Sequence, residues 1–332
     1  MSTVDMFRYA IPTHRPSSGG VNGSPALSGY GPLTSTVPKE LVHRAAVAEV
    51  LLTGWERHVD TRFAVTAQWP RGHSFFTPVN GTHYDPMMVA ETIRQVGSLL
   101  AHAEFDVPAG HQFLMHDLEV AVHPQHLGLE GVPAALDIEV TYTEVKQRRQ
   151  GHAGARYEVV IRRDGHVVAT GTAAYTCVSP DVYRRVRGSR LSGGRPALRL
   201  CAPVSPQSVG RMSPTDVVLS PLGEAGTWQL RVDTRHPILF DHPVDHIPGM
   251  VLVEAARQAT IAVLSRTSPD TYGLLPTRVT ARFQRYAELD SPCTIEAHEL
   301  PAGPGQSLVL VSGRQDGQPL FDATVTARGV HV

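Results

Sequence analysis

Residues 241–258 read DHPVDHIPGMVLVEAARQ. A proline and a glycine stand just ahead of a stretch that stays apolar on nearly every turn, with Met250, Val251, Leu252, Val253, Ile261 and Val263. Proline suits the first turn of a helix, because the N–H it lacks would find no partner there. The stretch MVLVEAARQATIAVLSR (250–266) is therefore predicted as a helix, and a helix apolar on all sides must be buried. Glu254 and Arg257 are the charged residues within its body.

The same pattern stands earlier in the chain. Shifted by 163 residues, His73 falls on His236, His83 on His246, Met87 on Met250, Glu91 on Glu254, Arg94 on Arg257, Gln95 on Gln258 and Gly110 on Gly273. Upstream, EVLLT (49–53) lies over DVVLS (216–220) at an offset of 167, each five residues after an arginine, Arg44 and Arg211. Matched charged residues at a constant offset mean two copies of one module. Each copy opens with a β-rich piece, FAVTAQW (63–69) or TWQLRVD (227–233), followed by the helix after Pro86 or Pro248. Four alternating runs follow in the first copy: QFLMHDLEVAV (112–122), ALDIEVTYTEVK (135–146), ARYEVVIRR (155–163) and HVVATGTAAYTCV (166–178). The second offers TRVTARFQRYAEL (277–289), CTIEAHEL (293–300), SLVLVSG (307–313) and LFDATVTA (320–327). Hairpin signals such as Arg163-Asp164-Gly165 make the sheets antiparallel. The class is α+β, a tandem of two modules, each a long buried helix wrapped by an antiparallel sheet. The two are expected to pack as a pseudo-dimer with their sheets joined across a pseudo-twofold axis.

Composition bounds the rest. The 332 residues carry 42% apolar and 18% charged side chains, enough for two real cores. Thirty basic against 31 acidic residues, a net charge of −1, argue against nucleic acid or an anionic membrane as partner. Three scattered cysteines are neither a disulfide framework nor a metal cluster, and fit a reducing cytoplasm. No membrane span or signal peptide stands out, so the expected location is cytoplasmic. Residues 1–36, rich in Ser, Gly, Pro and Thr, read as a flexible leader ahead of a first module at 37–180. An Arg-, Gly- and Pro-rich linker at 181–207 precedes a second module at 208–332, and from 181 to 211 seven Arg face one Asp.

A buried helix with E-A-x-x-Q behind a Pro-containing loop, laid on an antiparallel sheet, resembles the hot-dog fold, here doubled. The segment 241–258 is similar to one in hot-dog dehydratases that act on acyl-carrier-protein thioesters. A closer resemblance is to the A-factor biosynthesis family, tandem hot-dog synthases of γ-butyrolactone autoregulators. It is carried by VPKELVHRAAVAEVLLTGW (37–55), HSFFTPVNGTHYDPMMVAETIRQVG (73–97), QFLMHDLEV (112–120) and 241–258. The resemblance implies an acyltransferase that moves a β-ketoacyl group from acyl carrier protein to the hydroxyl of dihydroxyacetone phosphate. The ester can then close to a butenolide phosphate on the way to a signalling molecule of secondary metabolism.

Such chemistry needs a base, a polarised carbonyl and a grip on phosphate. The helix starts at Asp85-Pro86 and Pro248-Gly249 offer N–H groups to an oxyanion, and Gly249 leaves room for close approach. Partial burial is expected to raise Glu254 and Glu91 toward the range of a useful base. Arg257 and Arg94, at i+3 on the same helical face, can hold a phosphate or carbonyl. Glu254 and Arg257 are the first choice for the catalytic pair, with Glu91 and Arg94 as counterpart. His242, His246, His73 and His83 are candidate substrate contacts. His242 lies 12 before Glu254 and His73 18 before Glu91, not the 14 of the dehydratases, which counts against dehydration. Pro243 and Pro248 keep His242 and His246 off a helix, so no metal is expected, and no cofactor motif is present. The alternatives are a hot-dog thioesterase or dehydratase and a non-catalytic binder of an acyl signal. Buried Glu–Arg pairs could also serve only to neutralise each other.

Overall fold

The computed structural model describes residues 35–77, 81–148, 151–192, 198–266 and 274–329. A 3-10 turn at Lys39–Val42 leads into a hairpin of β1 (Leu52–Val59) and β2 (Arg62–Trp69). Helix α1 (Pro86–Ala103) begins on its proline, with Asp85 as N-cap. Strands β3 (Gln112–Val122), β4 (Ala134–Arg148), β5 (Gly151–Arg163) and β6 (His166–Val178) complete the first module. Helix α2 (Pro180–Arg187) and a single turn α3 (Ser189–Ser192) lead to β7 (Leu219–Pro221), β8 (Thr227–Leu230) and the short β9 (His246–Ile247). Helix α4 (Gly249–Leu264), β10 (Leu274–Phe283), the short β11 (Ala287–Glu288), β12 (Cys293–Leu300), β13 (Ser307–Gln315) and β14 (Gln318–Gly329) follow.

All the longer strands lie in one antiparallel sheet of order β1-β2-β4-β5-β6-β3-β10-β14-β13-β12-β8-β7. The modules meet where β3 pairs with β10. In that ladder Leu118 stands opposite Ala281, residues that the 163-residue offset makes equivalent. A twofold relation requires that, since a strand on the axis must meet its own counterpart. Both helices are buried: every residue of α4 from Val251 to Ile261 is, and α1 is buried from Pro86 to Ala101 save Arg94. The sheet coils around them, which explains why polar faces are missing from both.

One expectation needs correction. TRVTARFQRYAEL is not one strand: β10 stops at Phe283, Gln284 and Arg285 donate to the carbonyl of Leu320, and pairing resumes only at β11. The first part of the 181–207 linker is folded onto the second module. Arg187 is buried against Asp245 and Glu288, at 2.8 and 2.6 Å, and Arg190 reaches Asp290 at 2.8 Å, so part of the Arg run fastens α2 and α3 to the second module. Of the expected leader, all but residues 35 and 36 lies outside the described residues, as do 193–197 of the linker.

Gly171 on β6 sits under α1, where a Cβ would stand 2.4 Å from Ile93 Cδ1 and 2.5 Å from the backbone oxygen of Glu119. Gly171→Ala is expected to lower stability by about 1–3 kcal/mol, the cost of overpacking a filled core. Gly72→Ala, with nothing within 4 Å, should stay within about 0.5 kcal/mol of wild type in the same denaturant melts.

Candidate active site

Each module holds one carboxylate inside its helix, and two guanidiniums grip it. Glu254 Oε1 accepts from Arg211 Nε at 2.9 Å, Arg257 Nη2 at 2.7 Å and Gln258 Nε2 at 2.6 Å. Its Oε2 faces Arg257 Nε at 2.9 Å and Arg211 Nη2 at 2.8 Å. Glu91 is held the same way. Arg44 Nε, Arg94 Nη2 and Gln95 Nε2 donate to Oε1 at 3.0, 2.7 and 2.7 Å, and Arg94 Nε donates to Oε2 at 2.9 Å. The second arginine of each set was legible only as the residue five positions before the EVLLT and DVVLS matches.

Burial alone would raise both carboxyls, as expected from the sequence. The two facing guanidiniums and their hydrogen bonds outweigh it and hold Glu91 and Glu254 at about 2, below the ordinary 4.5. The expectation of a raised pKa is thus overturned, and a carboxylate held below the ordinary range is a poor base for a substrate proton. Further carboxylates stand close by: Asp85 Oδ2 lies 3.8 Å from Arg211 Nη1, and Asp241 lies near Arg44 and Arg94.

The same arginines cross between modules. Arg44 Nη1 donates to the carbonyl of Ile238 at 3.0 Å, and Arg211 Nη1 to that of Phe75. The receiving loops are tied by histidine. His73 Nδ1 accepts from the N–H of Phe75 and Phe76, each at 3.1 Å, with Nε2 3.3 Å from Glu49. His236 Nδ1 accepts from Ile238 and Leu239 at 3.2 and 3.1 Å, with Nε2 3.1 Å from Asp216. His73 is thus engaged at both nitrogens as a loop fastener and does not line the cavity described next. His83, bonded to Thr82 Oγ1 at 2.7 Å, also lies off that cavity.

A cavity of about 510 Å³ opens between the modules. The first module lends it Glu91, Arg94, Phe113 and Tyr175; the second lends His242, His246, Gly249, Glu254 and Phe283. Arg257 does not line it. Among the described residues the equivalent space beside Arg257 is more filled, and the repeat shows why. Ile261 replaces Ser98, and a Cβ on Gly210 would lie 3.4 Å from Arg257 Nη1 and 3.7 Å from Ile261. The Arg94 side chain is 19% exposed against 7% for Arg257. The cavity therefore reaches the Glu–Arg pair of the first copy and the helix start of the second, with Glu254 also in its wall.

The helix ends differ as well. Asp85 Oδ1 accepts from Met87 N at 2.8 Å, so α1 is capped and not free as expected. No side chain caps α4, whose first residues Gly249 and Met250 face the cavity. A Cβ on Gly249 would touch the Phe283 ring at 3.4 Å, so glycine keeps this end open. His246 is oriented by Asp245 at 2.9 Å and lies edge-on to Tyr286, and His242 stands 3.5 Å from Asp241. Asp241 in turn accepts from the backbone N–H of Ala45 and Ala46. Among the described residues no cluster of His, Cys, Asp and Glu is placed to hold a metal, and no helix is long and apolar enough to cross a membrane.

The A-factor biosynthesis hotdog domain matches this chain twice, over residues 27–179 and 195–331. A Streptomyces virginiae protein named 2-oxo-3-(phosphooxy)propyl 3-oxoalkanoate synthase is 54% identical over 90% of this chain and 99% of its own length. A protein of the same name from Streptomyces coelicolor A3(2) is 43% identical over 87% of this chain and 91% of its own. Among solved structures, a 12:0-ACP thioesterase from Umbellularia californica overlays with a TM-score of 0.49 at 11% identity, covering 80% of this chain and 94% of its own.

Two outcomes follow from the clamped carboxylates. Glu254→Gln removes the carboxylate that joins two buried guanidiniums, leaving Asp85 at 3.8 Å from Arg211 as the nearest counter-charge, and should cost about 3–5 kcal/mol in chemical denaturation. The unfolded chain binds protons near 4.5 whereas folded Glu91 and Glu254 resist until about 2, so their contribution is complete above 4.5 and is lost as pH falls toward 2. Stability measured against pH should decline across that window, and decline less steeply in Glu254→Gln.

Proposed function

We infer the activity from family and cavity together: the chain belongs to the A-factor biosynthesis hotdog family, and its cavity joins apolar walls to a guanidinium and an uncapped helix end. The protein is an acyltransferase of the 2-oxo-3-(phosphooxy)propyl 3-oxoalkanoate synthase type. Its donor is a β-ketoacyl thioester on acyl carrier protein and its acceptor dihydroxyacetone phosphate. The product ester feeds γ-butyrolactone-type signal synthesis by intramolecular aldol closure.

The observation that carries this reading is the position of Arg94. Its Nε and Nη2 are committed to Glu91 and the carbonyl of Val42, and among the described residues nothing bonds Nη1. That nitrogen gives Arg94 a donor for a phosphate oxygen, a grip which a thioesterase working with water has no need of. The acyl chain lies along Phe113, Tyr175 and Phe283, and the thioester carbonyl turns toward the N–H groups of Gly249 and Met250. There the positive end of α4 stabilises the charge that develops on oxygen. His242 and His246 contact the acceptor from the loop before α4. Arg94 is the catalytic residue of this set. Glu91 and Arg44 position it, while Glu254, Arg257 and Arg211 keep the second module's helix in register beneath it.

Incubation of the protein with a β-ketoacyl thioester and dihydroxyacetone phosphate should yield the phosphorylated ester by mass spectrometry. Arg94→Ala should lower kcat/KM about 10- to 100-fold, the worth of a charged hydrogen bond, chiefly through KM for the acceptor. Free β-keto acid released at the same rate with and without acceptor would instead identify a hydrolase.

A further inference from the structure

His43 and His102 are not used by the reaction as described so far, yet both line the cavity beside Arg94. His43 ends the Lys39–Val42 turn with a left-handed φ of 53°, and His102 sits in the last turn of α1. Their Nε2 atoms are 2.7 Å apart, and His102 Nδ1 lies 2.7 Å from the carbonyl oxygen of Val107. A carbonyl only accepts, so the proton of His102 is on Nδ1, its Nε2 is an acceptor, and the proton between the rings belongs to His43. That leaves the lone pair on His43 Nδ1, and among the described residues no group donates to it. Phe113 holds both rings, at centroid distances of 4.8 and 5.3 Å.

The repeat supplies an internal control. At the 167-residue offset His43 falls on Gly210, which makes the same left-handed turn at φ 66°. Glycine takes that conformation freely, whereas histidine bears strain there, as residues at functional sites do. At the 163-residue offset His102 falls on Ser265. Both imidazoles therefore occur in the copy whose Arg94 lines the cavity and have no counterpart beside Arg257.

We propose that His43 Nδ1 is the general base of the transfer, with His102 as its positioning residue. The proposal rests on the acyltransferase reading above. The acceptor hydroxyl gives its proton to His43 Nδ1 as its oxygen bonds to the thioester carbonyl carbon. When the tetrahedral intermediate collapses, the C–S bond breaks and the departing thiolate takes that proton, so ester and thiol form and His43 returns neutral. His102 keeps its Nδ1–H on Val107 throughout. Burial first, then His102, Arg94 and His242, push His43 well below its ordinary value, so it is neutral and ready to accept at pH 7. The groups sharing its wall are Arg94 and His102 from α1, Asp241 and His242 from the loop before α4, and Lys39, Glu40 and Arg44 on its own segment, with His111 beyond His102.

The test is ester formation by wild type, His43→Gly and His102→Ala, each with a melting curve and a pH profile. Glycine suits the left-handed turn, so His43→Gly should melt no lower than wild type. Its kcat should fall about 10²- to 10⁴-fold, the range of general-base catalysis, and free imidazole should restore part of it. His102→Ala should move the acidic limb of kcat upward, as His43 loses a buried neighbour. Wild-type kcat in His43→Gly, or a loss that imidazole does not restore, would overturn the role of His43 alone. A wild-type protein that makes no ester would overturn the acyltransferase reading and this one with it.

Discussion

In each half of the molecule a glutamate is buried inside a helix that has no polar face, and two arginines from different segments close on it. Left alone, such a carboxylate would cost several kcal/mol. The partners that neutralise it therefore dictate where the chain goes. Arg44 must come in from ahead of β1 and Arg211 from ahead of β7, and each continues across the module boundary to a carbonyl of the other half, Ile238 or Phe75. The loops that present those carbonyls are fixed by His73 and His236. Helix, amino-terminal segment and opposite module are thus joined through one charge in each copy. The same arrangement sets Arg94 in the cavity wall.

The two frames are nearly identical and their surroundings are not. In a homodimer every substitution appears at both sites, but in a tandem chain each copy can change alone. Ile261 and Arg257 pack over Gly210 and fill one side, whereas Ser98 and His43 at the matching positions leave the other open. Asp85 caps α1, and no side chain caps α4. The cavity between the modules takes a guanidinium from the first copy, a helix end from the second, and apolar walls from both. The more filled side still matters to it, since Glu254 with Arg211 and Arg257 keeps α4 in the place where its amino end can face the cavity.

Much of this was legible in the residues. Apolar runs behind Pro86 and Pro248 marked α1 and α4 to within a residue or two, and alternation marked β3, β5, β6, β12 and β13. The repeat itself placed Glu91 with Arg94 and Glu254 with Arg257, and the pairing of the two sheets through equivalent strands followed from symmetry. The break after Phe283 was not legible, because the carbonyl of Leu320 that receives Gln284 and Arg285 lies on another strand. Nor was the state of Glu254. Burial was foreseeable from the helix around it, but Arg211 stands 43 residues away in sequence, and it decides the sign of the shift.

The sequence by itself determined the two modules, their helices and strands, their common ancestry and their family, since these depend on local periodicity and on spacing along one chain. The tertiary structure alone decided which helix end is bare, which of two matching sites is the more open, and which arginine faces the cavity. Those outcomes rest on contacts such as Arg44 with Ile238, 194 residues apart, and on single side-chain volumes such as Ser98 against Ile261. No pattern in one segment can report whether a residue from a distant one will fill the space beside it.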